Sequence, residues 1–150
     1  MSEAEEVQET EEPLPKPQSI YEVFETDEGL EASGVWFDYA FGRFKLSYVG
    51  GANQDFQREY AERMKPYAEA EARGMMDDKV RRQIQIDCYV DYVLKDWTDV
   101  IDRNSEDLPY SKEAAKQLFL DLPHLFNMIR TAATNFANYR RIYVDEAVGN

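Results

Sequence analysis

The sequence predicts a mainly α-helical single domain of four to five helices with one small N-terminal β-hairpin, preceded by a disordered acidic tail. Three observations support this prediction. Apolar residues recur at helical spacing from residue 53 onwards, one earlier segment alternates as a strand does, and residues 1–18 contain few apolar side chains. A chain of 150 residues is usually one domain with one modest core.

The N-terminal segment, residues 1–18, is rich in Glu and contains three prolines at alternate positions, Pro13, Pro15 and Pro17. This composition cannot bury enough apolar surface to offset the entropy lost on ordering. We expect a disordered tail whose charge keeps the protein soluble, the alternative being a polyanion mimic or a binder of a basic partner. The folded domain is then expected over residues 19–150.

A β-hairpin is predicted at about residues 35–49, because two aromatic and β-branched runs flank Ala40-Phe41-Gly42. In the second run Phe44, Leu46 and Tyr48 lie on one face, and Arg43, Lys45 and Ser47 lie on the other. An isolated hairpin is marginal in water, so its inner face must pack on the helices or on another chain's strand. The short IYEVF run at residues 20–24 is interpreted as a turn or brief strand.

Helices are predicted at about residues 53–73, 77–97, 111–120 and 122–142. Asn53, Asp77 or Asp78, and Ser111 are the expected N-caps of the first three. Pro66 should kink or end the first part of its helix, whereas Pro123 is tolerated in the first turn of the last one.

Charge and composition exclude several classes of function. The formal net charge is −13, and most of the excess lies before residue 32, so clustered Lys and Arg for phosphate contacts are missing and nucleic-acid binding is not expected. No apolar run approaches the roughly 18 residues that a membrane-spanning helix needs. The protein should be soluble and cytoplasmic, with no membrane partner.

Catalytic, cofactor and metal sites are also not predicted, and we expect no enzyme activity. No nucleophile–base spacing or phosphate-cradling glycine loop is present. Cys88 is interpreted as a small buried hydrophobe, and His124 has no second His or Cys to complete a metal site. The paired acids Asp77-Asp78 and Asp87-Asp91 are interpreted as helix caps or solvated helix faces rather than ligands.

A series of short motifs covers most of residues 19–142 and leaves out the acidic tail. In chain order the motifs are Gly34-Val35-Trp36, Arg43-Phe44-Lys45, Gly50-Gly51-Ala52-Asn53 with Phe56, Asp96-Trp97, Asp102-Arg103, Leu108-Pro109-Tyr110, Leu118-Phe119 and Asp121-Leu122-Pro123. Their order and spacing resemble those of a known family, the tail assembly chaperones of long-tailed (siphovirus-like) bacteriophages.

The resemblance implies a small helical protein of the host bacterial cytoplasm that is absent from the finished virion. Such a protein binds the long tape measure protein, keeps it soluble and helps to recruit major tail protein. It also implies two products made by a programmed frameshift, for which Val148-Gly149-Asn150 is compatible with a slippery codon sequence. Self-association is left open by the sequence.

Four aromatic residues are the candidate partner-binding anchors, since aromatic side chains often dominate interfaces. They are Trp97, Tyr110, Phe119 and Phe126. The competing interpretation is that the same four residues are core. Two other functions remain open: a structural tail-completion or connector protein of the virion, and an acidic inhibitor that mimics DNA.

Overall fold

The computed structural model describes residues 16–141, which form a mainly helical domain around a small antiparallel sheet. The predicted fold class is therefore confirmed. Most of the predicted acidic tail and the terminal Val148-Gly149-Asn150 lie outside the described residues. The elements in chain order are α1 (Ile20–Phe24), α2 (Glu28–Ser33), β1 (Val35–Tyr39), β2 (Gly42–Leu46), α3 (Gln54–Met64), a 3₁₀ turn (Lys65–Tyr67), α4 (Ala68–Ala72), α5 (Asp78–Tyr92), β3 (Leu94–Thr98), α6 (Lys112–Asp121), α7 (Pro123–Thr134) and a second 3₁₀ turn (Phe136–Tyr139).

The sheet contains one strand more than the predicted hairpin. Its order is β1-β2-β3 with antiparallel pairing throughout, so the segment that follows α5 joins the hairpin to the helices. The prediction of a helix through residue 97 is wrong, because α5 ends at Tyr92 and residues 94–98 form β3.

A bulge in β3 explains why the helix was predicted to be too long. The β2–β3 register shifts between Lys45 and Leu46, which leaves one extra residue, Lys95, in β3. As a result Leu94 and Trp97 are both buried, although they are three residues apart. A spacing of three between buried residues is typical of a helix, so the bulge imitates helical periodicity.

The N-terminal part of the described chain is helical, so the interpretation of residues 20–24 as a turn or strand is wrong. The Ser19 hydroxyl accepts a hydrogen bond from the Tyr21 N–H and caps α1. Asp27 accepts a bond from the Leu30 N–H and caps α2. These two polar caps set the local structure, because a side-chain acceptor satisfies a first-turn N–H group.

The core lies between the inner face of the sheet and helices α5, α6 and α7. Phe44 and Leu46 of β2 are buried, as predicted, and Val90 of α5 and Ile129 of α7 pack into the same cluster. Ser47 was expected on the exposed face, but the strand ends at Leu46 and the alternation of faces ends with it.

Ser47 and Asn53 join the end of the hairpin to the start of α3 and the end of α5. The Ser47 hydroxyl donates to the Tyr92 carbonyl oxygen at 2.8 Å. The Asn53 side-chain amide donates to Ser47 Oγ at 3.1 Å, to the Tyr48 carbonyl at 2.8 Å and to the Tyr92 carbonyl at 3.0 Å. Its oxygen accepts from the Phe56 N–H, so Asn53 is also the predicted cap of α3.

The other predicted helices occur with shorter bounds. Residues 53–73 are divided into α3, the 3₁₀ turn that contains Pro66, and α4. Ser111 caps α6 through a hydrogen bond from the Ala114 N–H. The last helix starts at Pro123 and ends at Thr134, before the predicted 142. Asp77 caps α5 by accepting a bond from the Lys79 N–H.

Tyr139 provides a test of the core at alkaline pH. Its buried hydroxyl donates to the Leu46 carbonyl at 3.0 Å, and burial raises the pKa of this phenol well above its ordinary value. The stability that this raised pKa contributes is fully present below about pH 10, where the unfolded phenol titrates, and decreases as the pH rises further. Tyr139→Phe should lower the free energy of unfolding by about 0.5–1.5 kcal/mol at pH 7 because one buried hydrogen bond to the Leu46 carbonyl is lost. Urea titrations at pH 7 and pH 10.5 should show a smaller alkaline loss in the variant, and an equal loss in both proteins would contradict this role.

Candidate functional site

An open apolar groove lies where the hairpin turn, the segment after β3 and the α6–α7 junction meet. Its volume is about 460 Å³. The turn contributes Phe41, the segment after β3 contributes Val100 and Ile101, and the two helices contribute the remaining wall. The lining residues from the helices are Leu118, Asp121, Leu122, Pro123, His124, Leu125 and Met128. We call this surface the junction groove.

Four large apolar side chains of the junction groove are substantially exposed. Phe41 is 44% exposed, Ile101 58%, Leu122 46% and Met128 42%. Single exposed apolar residues are ordinary, but several that converge on one concave surface are typical of a binding site. The groove therefore qualifies as a candidate site for an apolar partner.

The loop after β3 holds Ile101 in place on one wall of the groove. Ile101 and Asp107 form an isolated antiparallel bridge. Inside that bridge the Asp102 carboxylate accepts hydrogen bonds from the Asn104 N–H at 2.8 Å and the Glu106 N–H at 3.0 Å. The base of the loop is closed because the Leu108 N–H donates to the Val100 carbonyl at 2.7 Å, and Trp97 of β3 donates its indole N–H to the Leu108 carbonyl at 2.7 Å. Ile101 is thus exposed on an ordered segment.

The opposite wall is exposed because two helices meet there at a sharp junction. Leu122 is the residue between α6 and α7, and its φ of −125° and ψ of 79° are not helical. Pro123 then starts α7, and its fixed φ suits the first turn of a helix. With the chain turning at this point, the Leu122 side chain is not covered by either helix.

A second, more polar groove of about 630 Å³ adjoins the first and shares Ile101, Leu118 and Leu122 with it. Its other walls include Asp102, Arg103 and Asn104, and Arg103 lies 3.9 Å from Asp121. An amphipathic segment that placed its apolar side chains in the junction groove could direct its polar side chains toward these residues.

Three of the four predicted anchors are buried, and the fourth, Tyr110, is half-buried. Phe119 and Phe126 are 0% and 1% exposed and their rings are 5.1 Å apart in the core. Trp97 is 3% exposed and donates its indole N–H to the Leu108 carbonyl, while the half-buried Tyr110 donates its hydroxyl to the Leu94 carbonyl. In this conformation Trp97, Phe119 and Phe126 are core residues, as the competing interpretation expected. Partner binding through any of the four residues stays a prediction.

The residues that do line the groove were not predicted from the sequence. Ile101 lies in a polar loop, Leu122 lies between two helices, and Met128 lies off the buried stripe of α7. Their common signal is that each is a large apolar residue outside the periodic pattern of its segment. This feature could have indicated that these residues lie outside the core and are exposed.

Several of the described acidic groups are paired with bases on the surface. Asp87 lies 3.6 Å from Lys116, and Asp91 lies 3.2 Å from Arg63 and 3.7 Å from Lys112. Burial raises the pKa of the Cys88 thiol, which favours the unreactive protonated form. Between residues 16 and 141, no three His, Cys, Asp or Glu residues are grouped so that they could hold a metal ion.

No helix within the described range is both long enough and apolar enough to span a membrane.

Comparison with known proteins places the chain among phage-derived proteins. A family described as the YdaY prophage protein matches residues 51–150, two thirds of the chain. The chain belongs to this family. The matched range includes the groove residues from Val100 to Met128 but not Phe41. Neither a curated protein nor a solved structure matches the chain.

Proposed function

We propose that this prophage protein is a tail assembly chaperone that binds an apolar helical segment of the tape measure protein, keeps it soluble and promotes tail tube polymerisation. It acts by binding, in the bacterial cytoplasm, and is not retained in the virion. The observation that carries the proposal is the junction groove, an exposed concave apolar surface on an otherwise charged domain.

The shape of the groove suits a helical client. An amphipathic helix binds a groove through apolar anchors spaced three and four residues apart. Ile101, Leu122, Met128 and Phe41 line the groove from separate segments and offer several apolar contacts to such a helix. Such a contact buries a few side chains of the client, so it is weak enough to be released when the tail tube encloses the tape measure protein.

The charge distribution supports a binder of apolar segments over a DNA mimic. Residues 16–141 carry 22 acidic and 17 basic side chains, so the described domain has a balance of only −5. Many of these acids pair with bases on the surface, as Asp38 does with Arg43 and Asp55 with Arg58. A mimic needs an ordered face of unpaired carboxylates, and no observation favours one.

The groove gives a direct test with a matched control. Ile101→Lys introduces a charge into the proposed contact, and burying that charge against an apolar client is costly. Co-expressed with the tape measure protein of the same prophage, the variant should lower the soluble client by about tenfold, equivalent to about 1.4 kcal/mol of binding free energy. Leu122→Lys on the other wall should act in the same way.

The control is Ile20→Lys, because Ile20 is also an exposed isoleucine, at 67%, but lies on α1 outside the groove. It should leave the soluble client unchanged. Equal retention of the client by Ile101→Lys and Ile20→Lys would remove the groove from the proposal. Mass spectrometry of purified particles tests the alternative of a tail-completion or connector protein, since stoichiometric amounts in the particle would contradict a chaperone.

A further inference from the structure

Strand β1 is an edge strand of the sheet, and no other strand of residues 16–141 pairs with its outer side. The other edge strand, β3, is partly covered by the chain that follows it, because the Tyr110 hydroxyl donates to the Leu94 carbonyl. In contrast, no hydrogen bond within residues 16–141 uses the backbone N–H or C=O of Trp36 or Asp38. An edge of this kind is a template for another strand.

The register of the hairpin identifies which backbone groups point outward. Tyr39 pairs with Gly42 across a two-residue connection, which makes this a hydrogen-bonded pair. Hydrogen-bonded and non-hydrogen-bonded pairs alternate in antiparallel strands, so Phe37 and Val35 also bond to β2. The N–H and C=O groups of Trp36 and Asp38 consequently point away from the sheet.

Strand β1 carries one charged side chain, Asp38, which is paired with Arg43, and otherwise lacks the features that usually block edge pairing. Natural edges are protected by proline, lysine or a bulge. The sequence of β1 is VWFDY, and its register with β2 is regular over all five residues. The bulge of this sheet lies in β3. Four of the five β1 residues are apolar, which favours a strand as the partner.

A groove lies directly under this open edge. It has a volume of about 480 Å³ and lies between the inner face of β1, with Phe37 and Tyr39, and helix α7, with Met128 and Ala132. The rest of its lining is polar: Asn127, Thr131, Asn135 and Asn138. An added strand would extend the sheet over this groove and place every second side chain in it. The added strand therefore needs an apolar residue opposite Phe37.

We propose that the occupant is β1 of a second copy of this chain, paired antiparallel about a two-fold axis at Phe37. In this register Trp36 lies opposite Asp38 of the second copy, and the outward groups of these two residues form four intermolecular hydrogen bonds. Phe37 of each copy then faces its equivalent over the grooves. The outward N–H and C=O groups of one copy thus meet the outward groups of the other copy, as a two-fold interface requires.

Charge on the outer face suits the same register. The Arg43 guanidinium lies 5.0 Å from the Trp36 ring and 2.6 Å from the Asp38 carboxylate. With Trp36 opposite Asp38 of the second copy, that carboxylate lies beside the Trp36 ring, which has Arg43 over it and Lys45 as its partner in β2. The pairing therefore places opposite charges together across the interface.

Disulfide trapping tests the register. Residue 37 faces its equivalent in a non-hydrogen-bonded pair, where the Cα atoms are about 4.5 Å apart, within the range of a disulfide. Phe37→Cys should form a covalent dimer on mild oxidation, and native Cys88 is buried and cannot compete. Thr98→Cys, an exposed position on β3, is the control and should stay monomeric on a non-reducing gel.

Sedimentation of the full chain tests the interface without a cross-link. The wild type should be a dimer that dissociates on dilution, and Phe37→Lys should weaken the dimer by about tenfold or more because two lysines face each other. Thr98→Lys is the matched control and should dimerise as the wild type does.

If circular dichroism shows that Phe37→Lys does not fold, the disulfide trapping of Phe37→Cys tests the interface in its place. A wild type that stays monomeric at all concentrations, or trapping as efficient through Thr98→Cys, would overturn the proposal. Ile101→Lys should still dimerise. A result that disproves client binding in the junction groove is therefore distinguishable from one that disproves the β1 dimer interface.

Discussion

Replacing Phe119 with alanine is expected to lower the free energy of unfolding by about 3–5 kcal/mol. The side chain is fully buried and its ring lies 5.1 Å from that of Phe126. It packs where α6 and α7 meet the sheet, so truncation removes apolar contacts from three elements at once and leaves a cavity. A small domain has a total stability of about 5–15 kcal/mol, so this loss is a large fraction of it.

The adjacent residue provides the control. Leu120 lies on the same helix and is 45% exposed, so Leu120→Ala should change the free energy of unfolding by no more than about 0.5 kcal/mol. Urea denaturation followed by circular dichroism measures both. Similar losses in the two variants would mean that Phe119 is not the core residue described here. Phe119→Ala is also a poor probe of client binding, since a destabilised protein loses partners for reasons unrelated to a contact.

The helices and the hairpin could be predicted because each is encoded locally. Asn53 and Ser111 act as caps through their own side chains, and these polar residues stand directly before apolar-periodic segments. Phe44 and Leu46 alternate with Arg43 and Lys45, which specifies a half-buried strand from four residues alone. No long-range information is needed for such features.

Strand β3 could not be predicted because its structure depends on a distant partner. Leu94 and Trp97 are buried on one face only because the bulge against β2 places them there, about 50 residues away from the hairpin in sequence. In the sequence, Leu94 and Trp97 continue the apolar stripe of α5 at helical spacing, so no change of pattern marks the end of the helix. Propensity is a weak guide where tertiary pairing decides.

The candidate site was missed for a related reason. Aromatic character does not distinguish a core residue from an interface residue, and Trp97, Phe119 and Phe126 are in the core. The junction groove is built from Phe41, Ile101 and Leu122, which belong to three separate segments. No periodicity in one segment relates them, and only the packing of α6 and α7 on the sheet brings them together.

Gly51→Ala is expected to lower the free energy of unfolding by about 2–5 kcal/mol, from two separate effects. Gly51 has a φ of +54°, a conformation that costs an L-residue about 1–2 kcal/mol. In addition, a Cβ at this position would collide with the Glu31 carboxylate. Glu31 is only 3% exposed and its backbone bonds to Tyr48 at 2.8 Å, so its side chain has little room to move away.

A second glycine separates the two effects. Gly74 has a φ of +67°, but a Cβ there would meet no atom within 4 Å, so Gly74→Ala carries the conformational cost alone. Thermal unfolding of the two variants should differ by about 1–3 kcal/mol, the usual cost of overpacking. In a Glu31→Ala background the cost of Gly51→Ala should decrease to that of Gly74→Ala, because the colliding group has been removed. Equal losses of unfolding free energy in Gly51→Ala and Gly74→Ala, in the wild-type background, would mean that the Glu31 side chain moves away from the new Cβ atom at no cost. If the Glu31→Ala background restores the stability of Gly51→Ala, the α2 helix and the turn before α3 are in direct steric contact.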